Sequence, residues 1–474
     1  MIRHYASQAL MVFDLGVLAY FILINLLYLA FSIIAFFSLL QHRRRWTSRA
    51  LDIVMRSPAT PAISVIAPAY NEEATIEQSL RSLMLLNYPK FEVVVVNDGS
   101  KENTVRKMVE TFGLMKAPVV YQQPIGTQQV KALYRSLDNP DLVVIDKVNG
   151  GKADAINAGI NAARYPLVCV IDADSILEPE ALMRASLPFI ESPLTLATGG
   201  IIRIANGCTV EAGRVTRIGI PSSWLARFQV VEYLRAFLTG RVAMSAANAL
   251  LIISGAFGMF RRDAVIEIGG FRHDTIGEDM EIVARLHRRW RDTNRPYRIV
   301  FQPDPVCWTE APETTKVLAS QRNRWQRGTC QVLSYHLPML MNPKYGSVGL
   351  LAMPYFLMFE AAGPLVEASG YIVTAIAVAF GLIDVVFAQL LFLSAVVFGA
   401  MISLTAVLLE EMSFRRYPKV RQLLLLAALG VIENFGYRQL TAWWRLRGTI
   451  DFIRKKQGWG VMTRKGFQGS GIRE

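Results

Sequence analysis

Cysteine and histidine are scarce in this sequence, and neither is grouped as a metal site or a disulfide framework requires. The 474 residues include five histidines, scattered without ligand spacing, and four cysteines without a CxxC pair, namely Cys169, Cys208, Cys307 and Cys330. A zinc site and a disulfide-stabilised fold are therefore not expected. Unpaired thiols favour a reducing cytosol as the surroundings of the main domain.

Signatures of triphosphate loops and of nucleic-acid binding are also missing. No GxxxxGKS or GxxxxGKT loop is present, and no DxSxxG signature of a cyclic-dinucleotide receptor module occurs. The formal net charge is +13, but much of it lies beside apolar segments, as in RRRWTSR, SFRRYPKVR and RLRGTIDFIRKK. Membrane topology and anionic lipid headgroups explain charge in such places. We therefore expect membrane lipids as partners, and no nucleic acid.

Long apolar runs, in contrast, are abundant, and 52% of the residues are hydrophobic. The first run, Val12–Leu40, exceeds the ~20 residues that a membrane crossing needs. It is longer than the apolar core of a signal peptide, about 7–15 residues. Basic residues follow at His42–Arg45 and Arg49, which favours the cytoplasmic side for the next segment. Residues 1–61 are thus predicted to form a transmembrane helix, about 12–40, and a basic cytoplasmic linker.

Residues 62–340 alternate short β-branched runs with helical patterns. The strand-like runs are AISVIAPAY, FEVVVVND, LVVIDKV and LVCVIDADS, and the helix-like runs include TIEQSLRSLMLL, KADAINAGINAAR and PEALMRASLPFI. This alternation predicts an α/β domain with a mainly parallel sheet. In such sheets ligands bind outside the carboxyl ends of the strands, so the residues that end each run are expected to carry the chemistry.

Those ends are polar and acidic. The first run closes in PAYNEE, the second in Asn97–Ser100, and a later one in Asp172-Ala173-Asp174. Each alone is typical of a turn or a helix cap, but together they form a cluster of like charges that requires a cation. Oxygen ligands without histidine indicate Mg²⁺ or Mn²⁺ and a phosphorylated substrate. Lys152, which follows two glycines at the start of a predicted helix, is placed to favour phosphate.

A second basic site is the pentapeptide QRNRW, residues 321–325, on a predicted helix. Gln321 shares a face with Arg324 or Trp325 at this spacing. That face offers forked hydrogen-bond donors beside a flat apolar ring, which suits an anion next to a group that can stack.

The chain contains, in this order, the motifs PAYNE, VNDGS, GGKADAINAG, DAD, SGAFGMFRRDAV with GGF, GEDMEIVARLHRR and QRNRW. In the order and spacing of these motifs, the chain resembles the inverting family-2 glycosyltransferases. Among these, the chain is similar to the membrane-embedded processive synthases of poly-N-acetylglucosamine, cellulose, hyaluronan and chitin. The resemblance covers about residues 62–340. It implies a GT-A-like nucleotide-sugar-binding domain flanked by transmembrane and interfacial helices.

The resemblance also implies roles for the residues that would bind the donor. Asp98 would contact the uridine, assisted by Tyr70 and Glu72. Asp174 would bind the metal ion that bridges the diphosphate, and Asp172 would orient the nucleotide sugar. Lys152 would neutralise phosphate charge.

A further set of residues would act on the acceptor and the leaving group. Asp279 corresponds to the catalytic base that takes the proton of an acceptor hydroxyl. Arg324 and Gln321 would face the diphosphate, and Trp325 would be the platform for the acceptor sugar.

Two departures from the family pattern affect the acceptor site. The usual threonine before Glu-Asp is Gly277, and the stretch Ser254–Gly258 has no cysteine where some relatives place one. Glu278, Ser254 and Gly255 are therefore carried over as acceptor-site candidates.

Residues 341–474 are predicted to form a membrane region with interfacial helices and a basic tail. Residues 371–383 and Val385–Leu409 are typical of a crossing pair. Segments around Glu360 and Glu367, and around Glu433 and Arg438, either lie at the interface or cross while lining a sugar channel, so two crossings are predicted and four are the alternative.

The amphipathic segment Ser222–Arg241 is either a bilayer-surface helix or a core helix. The tail KKQGWGVMTRKGF resembles the Trp-Gly-containing C-terminal segment that some synthases place at the channel mouth. Alternatively, it is a basic tail at the membrane interface.

The predicted function is polymerisation of a β-linked polysaccharide from a UDP-sugar, with UDP-N-acetylglucosamine preferred to UDP-glucose. We expect a multi-pass protein of the inner cell membrane with a cytoplasmic catalytic domain, coupled to export. Its partners would be the growing polysaccharide and either further copies of itself or an accessory export subunit. A non-processive transferase for a lipid-linked acceptor and a catalytically silent secretion or signalling subunit are the alternatives.

Overall fold

The computed structural model describes residues 2–45, 51, 53, 55–211, 213–382, 385–414, 416–417 and 419–456. Arg49 of the basic linker and the tail after Lys456, with its Trp-Gly pair, lie outside the described residues.

Twelve strands are present in the described residues, and ten of them form one sheet. The strands are β1 (Ile63–Ala69), β2 (Phe91–Asn97), β3 (Leu114–Ala117), β4 (Val130–Ser136), β5 (Leu142–Lys147), β6 (Leu167–Ile171), β7 (Ile176–Leu177), β8 (Thr195–Ile204), β9 (Thr209–Glu211), β10 (Arg214–Arg217), β11 (Phe257–Arg261) and β12 (Arg298–Thr309). The order in the large sheet is β3-β4-β5-β2-β1-β6-β11-β8-β12-β7, and β9 and β10 form a separate hairpin.

The centre of the sheet is parallel and buried. Strands β5, β2, β1 and β6 pair in parallel, as does β12 with β8. Their valine- and isoleucine-rich runs are buried over almost their whole length, as expected for strands covered by helices on both faces. Antiparallel pairs occur at the flanks and at β11, which lies between β6 and β8. The predicted α/β fold with a largely parallel central sheet is confirmed.

Helices cover the sheet and extend beyond it. They are α1 (Ile2–Arg45), α2 (Ile76–Met84), α3 (Thr104–Phe112), α4 (Lys152–Ala162), α5 (Ala181–Glu191), α6 (Trp224–Leu234), α7 (Val242–Ala246), α8 (Arg262–Glu267), α9 (Glu278–Asp292), α10 (Thr315–Tyr335), α11 (Met353–Tyr355), α12 (Gly363–Ala379), α13 (Val385–Phe392), α14 (Phe398–Ser413), α15 (Val420–Ile432) and α16 (Tyr437–Ile453). Segments of π-helix lie at Arg235–Arg241, Val348–Ala352, Phe356–Ala361 and Leu393–Val397, and 3-10 turns at Leu337–Met339 and Pro343–Tyr345.

Strand direction places the polar strand ends at one edge of the sheet. Ala69, Asn97 and Ile171 end the adjacent parallel strands β1, β2 and β6. Because β11 runs antiparallel to β6, with Phe257 opposite Ile171, the residues that precede β11 reach the same edge. The register therefore brings together segments from four separate parts of the sequence.

Two apolar helices in the described residues are long enough to cross a membrane by length and composition. They are Leu10–Arg45 and Val348–Ala379. Helix α1 shares one continuous hydrophobic core with the sheet, through residues such as Phe31 and Leu39. A buried ion pair also joins the sheet to α14, because Arg203 donates to both carboxylate oxygens of Glu410 at 2.7 and 2.8 Å. The sheet and the apolar helices are thus packed as one body.

Candidate active site

A cavity of about 1400 Å³ opens at the polar edge of the sheet and continues between the apolar helices. Every residue that the sequence singled out for the site lines it: Tyr70, Glu72, Asp98, Lys152, Asp172, Asp174, Ser254, Gly255, Glu278, Asp279, Gln321, Arg324 and Trp325. The fold therefore brings all of the predicted site residues to one space, although their roles remain predictions.

Asp98 organises the glycine turn before α4. Its carboxylate accepts hydrogen bonds from the backbone N–H groups of Gly150 and Gly151 at 2.9 and 2.8 Å, and from Nζ of Lys147 at 2.6 Å. Lys147 also forms an ion pair with Asp154 in the first turn of α4. Asp98 is only 3% exposed, so its carboxylate is engaged within the protein and fixes the start of the helix that carries Lys152.

Lys152 connects the strand-end carboxylates with the start of α9. Its Nζ lies 2.7 Å from Asp172 and 3.2 Å from Glu278, and 3.4 Å from the carbonyl oxygen of Gly255. Burial alone lowers the pKa of Lys152, but Asp172, Glu278 and Asp279 outweigh burial and raise it. The ammonium group therefore stays charged at neutral pH and neutralises a group of three carboxylates.

Asp279 is held by two backbone N–H groups at the start of α9. Its Oδ1 accepts from Met280 at 2.9 Å, and its Oδ2 accepts from Gly255 at 3.3 Å. The positive end of the helix dipole favours a carboxylate at this position. Beside it, burial raises the pKa of Glu278; the charge of Lys152 opposes this shift, and the charge of Asp279 adds to it. Glu278 thus contacts Lys152, while Asp279 faces the wall formed by Ser254 and Gly255.

The side chains of the QRNRW pentapeptide differ in burial. Trp325 is 43% exposed and lines the cavity with Arg324. Arg322 is buried, donates to Glu232 at 2.7 Å, and lies 4.5 Å from the centre of the Trp325 ring. The hydroxyl group of Tyr437 also donates to Glu232, at 2.9 Å. Arg322 therefore supports one face of the indole and anchors α10 to α6 and α16.

Asp174, the predicted metal ligand, and the adjacent Asp172 are the carboxylates at this edge that could hold a metal ion. Within the described residues no group of three or more histidine, cysteine, aspartate or glutamate side chains could hold a metal ion. Both aspartates line the cavity and offer hard oxygen ligands. This donor set fits Mg²⁺ or Mn²⁺ that completes its coordination with substrate phosphates, rather than an ion held by the protein alone.

Sequence comparison assigns this constellation to a family. The model described as glycosyltransferase like family 2 matches residues 61–328, which include every residue of the site. The chain belongs to this family. A second model, chitin synthase, matches residues 274–453.

The curated relatives are polysaccharide synthases. The chain is 31% identical over 299 residues to a poly-beta-1,6-N-acetyl-D-glucosamine synthase of Staphylococcus aureus (strain COL), covering 63% of this chain and 60% of the relative. It is 29% identical over 314 residues to the synthase of the same name from Staphylococcus epidermidis, covering 66% and 64%. The chain thus spans about three fifths of the length of these relatives.

A solved structure supports the fold. The mannosyltransferase PcManGT from Pyrobaculum calidifontis, in complex with GDP-mannose and Mn²⁺, is 19% identical, with a TM-score of 0.51, covering 89% of this chain and 99% of that one. At this identity the similarity concerns the fold alone, and it agrees with the GT-A-like architecture expected of a family-2 glycosyltransferase domain.

Gly277, where the sequence resemblance led us to expect threonine, lies where α9 and α10 almost touch. A Cβ atom at Gly277 would lie 3.3 Å from the Cα and carbonyl carbon of Gly328 in α10. Gln331, also in α10, clamps the same loop, because it accepts from the N–H of Ile276 at 3.1 Å and donates to the carbonyl of Asp274 at 2.7 Å. The glycine therefore sets the separation between Asp279 and the QRNRW helix.

Replacing Gly277 by threonine is expected to destabilise the protein by about 1–3 kcal/mol, because a β-branched side chain would push α10 away. We also expect slower sugar transfer, since Asp279 and Trp325 would move apart. Thermal unfolding in detergent and transfer rates measure both effects. Gly126→Ala is the control, because a Cβ atom there would meet nothing within 4 Å. An unchanged midpoint for Gly277→Thr would contradict this view of the contact.

The far part of the cavity is lined by charged residues of the apolar region. Glu360, Glu367, Glu433 and Arg438, which the sequence placed either at the interface or along a channel, all line it. Arg438 pairs with Glu367 at 3.2 Å and Arg445 with Glu360 at 2.9 Å, and Arg235 pairs with Glu433. These charges are thus satisfied by one another while facing a common space.

Sequence reasoning missed two groups of the site. Lys147 lies within the apolar run LVVIDKV, and a lysine in such a run was a usable signal, although its partner Asp98 was not predictable. Arg241 lines the cavity near Asp279, but the sequence marked it only as the last residue of an amphipathic segment, one of 51 lysines and arginines. The structure alone singles it out.

Proposed function

We propose that the protein is a membrane-integrated, inverting glycosyltransferase that polymerises a β-linked polysaccharide from a UDP-sugar at the cytoplasmic face. The observation that carries the proposal is the continuity of the cavity from Asp172 and Asp174 to Glu367 and Arg438 in the apolar region. On this view residues 1–61 anchor the chain, 62–340 form the cytoplasmic transferase domain, and 341–474 form the membrane region. The protein would then be a multi-pass protein of the inner cell membrane.

The donor would bind at the ends of β1, β2 and β6. Tyr70 and Glu72 would contact the nucleoside. Asp98 would shape the nucleoside site by holding the glycine turn at Gly150 and Gly151 in place. Asp172 and Asp174 would hold Mg²⁺ or Mn²⁺, which supplies charge neutralisation of the diphosphate. The curated relatives, by their names, make poly-N-acetylglucosamine, which supports UDP-N-acetylglucosamine over UDP-glucose as the donor.

Asp279 would act as the general base. It would take the proton from an acceptor hydroxyl as that oxygen bonds to the anomeric carbon of the donor. The bond from the anomeric carbon to the phosphate oxygen breaks on the opposite face, so the configuration inverts from α to β and UDP leaves. Lys152 and Arg324, with Gln321, would stabilise the charge that develops on the leaving diphosphate.

The acceptor would occupy the wall opposite the donor phosphates. Trp325 offers an exposed ring that Arg322 supports from one side, so its other face is suited to stacking against a sugar. Ser254, Gly255 and Glu278 line the adjoining surface and would contact the terminal sugar.

The elongated chain would leave between the apolar helices. Paired charges and hydroxyl groups line this part of the cavity, including Tyr20, Glu360, Glu367 and Arg438. Because Arg438, Arg445 and Arg235 each have a glutamate partner there, a neutral polysaccharide can exchange hydrogen bonds along this wall without a deep binding site. This arrangement favours polymerisation and export over a single transfer to a lipid-linked acceptor.

The proposal is tested with membranes that contain the full chain and a panel of nucleotide sugars. We expect UDP release and a long product from UDP-N-acetylglucosamine with Mn²⁺ or Mg²⁺, and loss of both after chelation, restored by either ion. Membranes without the chain are the control. A product one sugar long would favour the non-processive alternative, and absence of UDP release from every donor would indicate a silent subunit. An export subunit or further copies of the chain would be required if purified protein releases UDP but makes only short products.

A further inference from the structure

Arg241 differs from the other arginines that line the cavity because it has no hydrogen bond or ion pair to any other described residue. It is the last residue of the π-helical segment Arg235–Arg241, and its guanidinium lies 4.0 Å from the centre of the Phe237 ring. Its Nη1 is buried without a hydrogen-bond partner, and it makes no hydrogen bond or ion pair with any residue in the described part of the chain. The other cavity arginines with assigned partners each bind a glutamate, as do Arg235, Arg322, Arg438 and Arg445.

Such a group is costly for the folded protein. A guanidinium has five N–H donors and no acceptor, and burying its Nη1 group without a partner costs the desolvation of that group. Burial lowers the pKa of Arg241 to about 10, although Asp279 acts in the opposite direction. The side chain is therefore still charged at neutral pH, and the cost is offset only when a ligand accepts its hydrogen bonds.

The position of Arg241 indicates which ligand accepts these hydrogen bonds. A diphosphate bound near Asp172 would already have Lys152 as its cation, because Lys152 lies beside Asp172. Arg241 instead belongs to the segment after α6, which packs against α1 on the side of the apolar helices. Its neighbours along this wall include Tyr233, Phe237 and Met244, which make this part of the wall largely apolar. It is also close enough to Asp279 to be influenced by that charge.

We propose that Arg241 binds the terminal sugar of the acceptor and holds its hydroxyl group against Asp279. The guanidinium would donate to hydroxyl or acetamido oxygens of that sugar, while Phe237 fixes the plane of the guanidinium by stacking. The inference rests on the proposed function, because it assumes that the cavity accepts a glycan next to Asp279. Arg241 would then be an acceptor-binding residue that no motif of the sequence marks.

The test compares the wild type with Arg241→Met and Arg241→Lys in the full chain. For Arg241→Met we expect kcat/KM for an N-acetylglucosamine oligosaccharide acceptor to fall about 10- to 100-fold, as expected for loss of hydrogen bonds from a charged group, and polymer chains to shorten. Hydrolysis of the donor without acceptor should remain, because the donor contacts are intact. Arg241→Lys should recover part of the loss, since it keeps the charge but fewer donors.

Thermal stability separates binding from a structural role. Removing a cation whose Nη1 is buried without a partner is expected to leave the unfolding midpoint of Arg241→Met unchanged or higher, and to abolish stabilisation by the oligosaccharide. Arg227→Met is the matched control, because Arg227 also lies over an aromatic ring, that of Trp224 at 4.8 Å, but donates to the carbonyl of Pro221 at 2.7 Å and does not line the cavity. It should behave as the wild type toward the acceptor.

The inference is overturned if Arg241→Met keeps the wild-type acceptor kinetics and product length, or if it fails to fold. If the wild-type chain releases no UDP from any donor, it is the proposed function that fails. In that case the affinity of wild type and of Arg241→Met for the N-acetylglucosamine oligosaccharide, measured by calorimetry, tests the role of Arg241 independently of the reaction. Equal affinities would contradict acceptor binding by Arg241.

Discussion

Replacing Asp279 by asparagine is expected to lower the rate of sugar transfer about 10²- to 10⁴-fold, the range that a general base contributes. The amide keeps the size of the side chain, and its one oxygen can still accept from the N–H of Met280 in α9, so the start of α9 should remain folded, although the longer bond from Gly255 is lost. What it loses is the ability to take a proton from the acceptor hydroxyl. Transfer of radiolabelled sugar to polymer by purified protein measures the effect.

Asp292→Asn is the matched control for this experiment. Asp292 lies at the other end of the same helix and pairs with Lys344 on the surface, where a single ion pair contributes about 1 kcal/mol or less. We expect near-normal transfer from this variant. An Asp279→Asn protein that folds and elongates glycan at the wild-type rate would rule out the proposed base.

Replacing Lys152 by methionine is expected to have an effect of similar size, for an electrostatic reason. The change removes the cation that lies 2.7 Å from Asp172 and 3.2 Å from Glu278, so those carboxylates would repel an incoming diphosphate. Removal of one group that stabilises developing charge typically costs about 10²- to 10³-fold in rate. We expect kcat/KM for the nucleotide sugar to fall by at least this factor, measured as UDP release.

The pH dependence of Lys152→Met follows from the raised pKa of Lys152. Because the folded-state pKa lies above the unfolded value, the stabilisation from its charge is fully present below the unfolded value and is lost only as pH rises through the folded one. The difference in unfolding midpoint between variant and wild type should thus be constant from about pH 6 to pH 9. Lys131→Met, at an exposed position of β4, is the control. A difference that shrinks across this range would contradict a charged Lys152.

Much of the candidate site could be predicted because strand direction and residue order are both present in the sequence. Parallel strands have their carboxyl ends at one edge, so Asp98, Asp172 and Asp174 had to be neighbours once the strands were recognised. The charged residues of the apolar region were also predictable as a group, since charge in such surroundings requires a polar space. Their individual partners, such as Glu367 for Arg438, were not.

Partners far apart in the sequence could not be predicted, because packing selects them. Lys147 meets Asp98 across 49 residues, and Arg322 meets Glu232 across 90. The helical spacing of QRNRW placed Gln321, Arg324 and Trp325 on a functional face, but it carried no information on the buried role of Arg322. Gly277 was noted only as a departure, whereas its proximity to Gly328 gives the departure a steric reason.

By itself the sequence determined the α/β fold, the family, and the acidic edge where a nucleotide sugar would bind, because strand periodicity and motif order are local properties of the chain. Only the tertiary structure decided that this edge opens into a cavity between the apolar helices, that one arginine of QRNRW supports Trp325 from behind, and that Arg241, within the influence of Asp279, has no partner in the described part of the chain. Those features depend on which surfaces meet when the helices pack, and the free energy that selects them comes from contacts between distant parts of the chain.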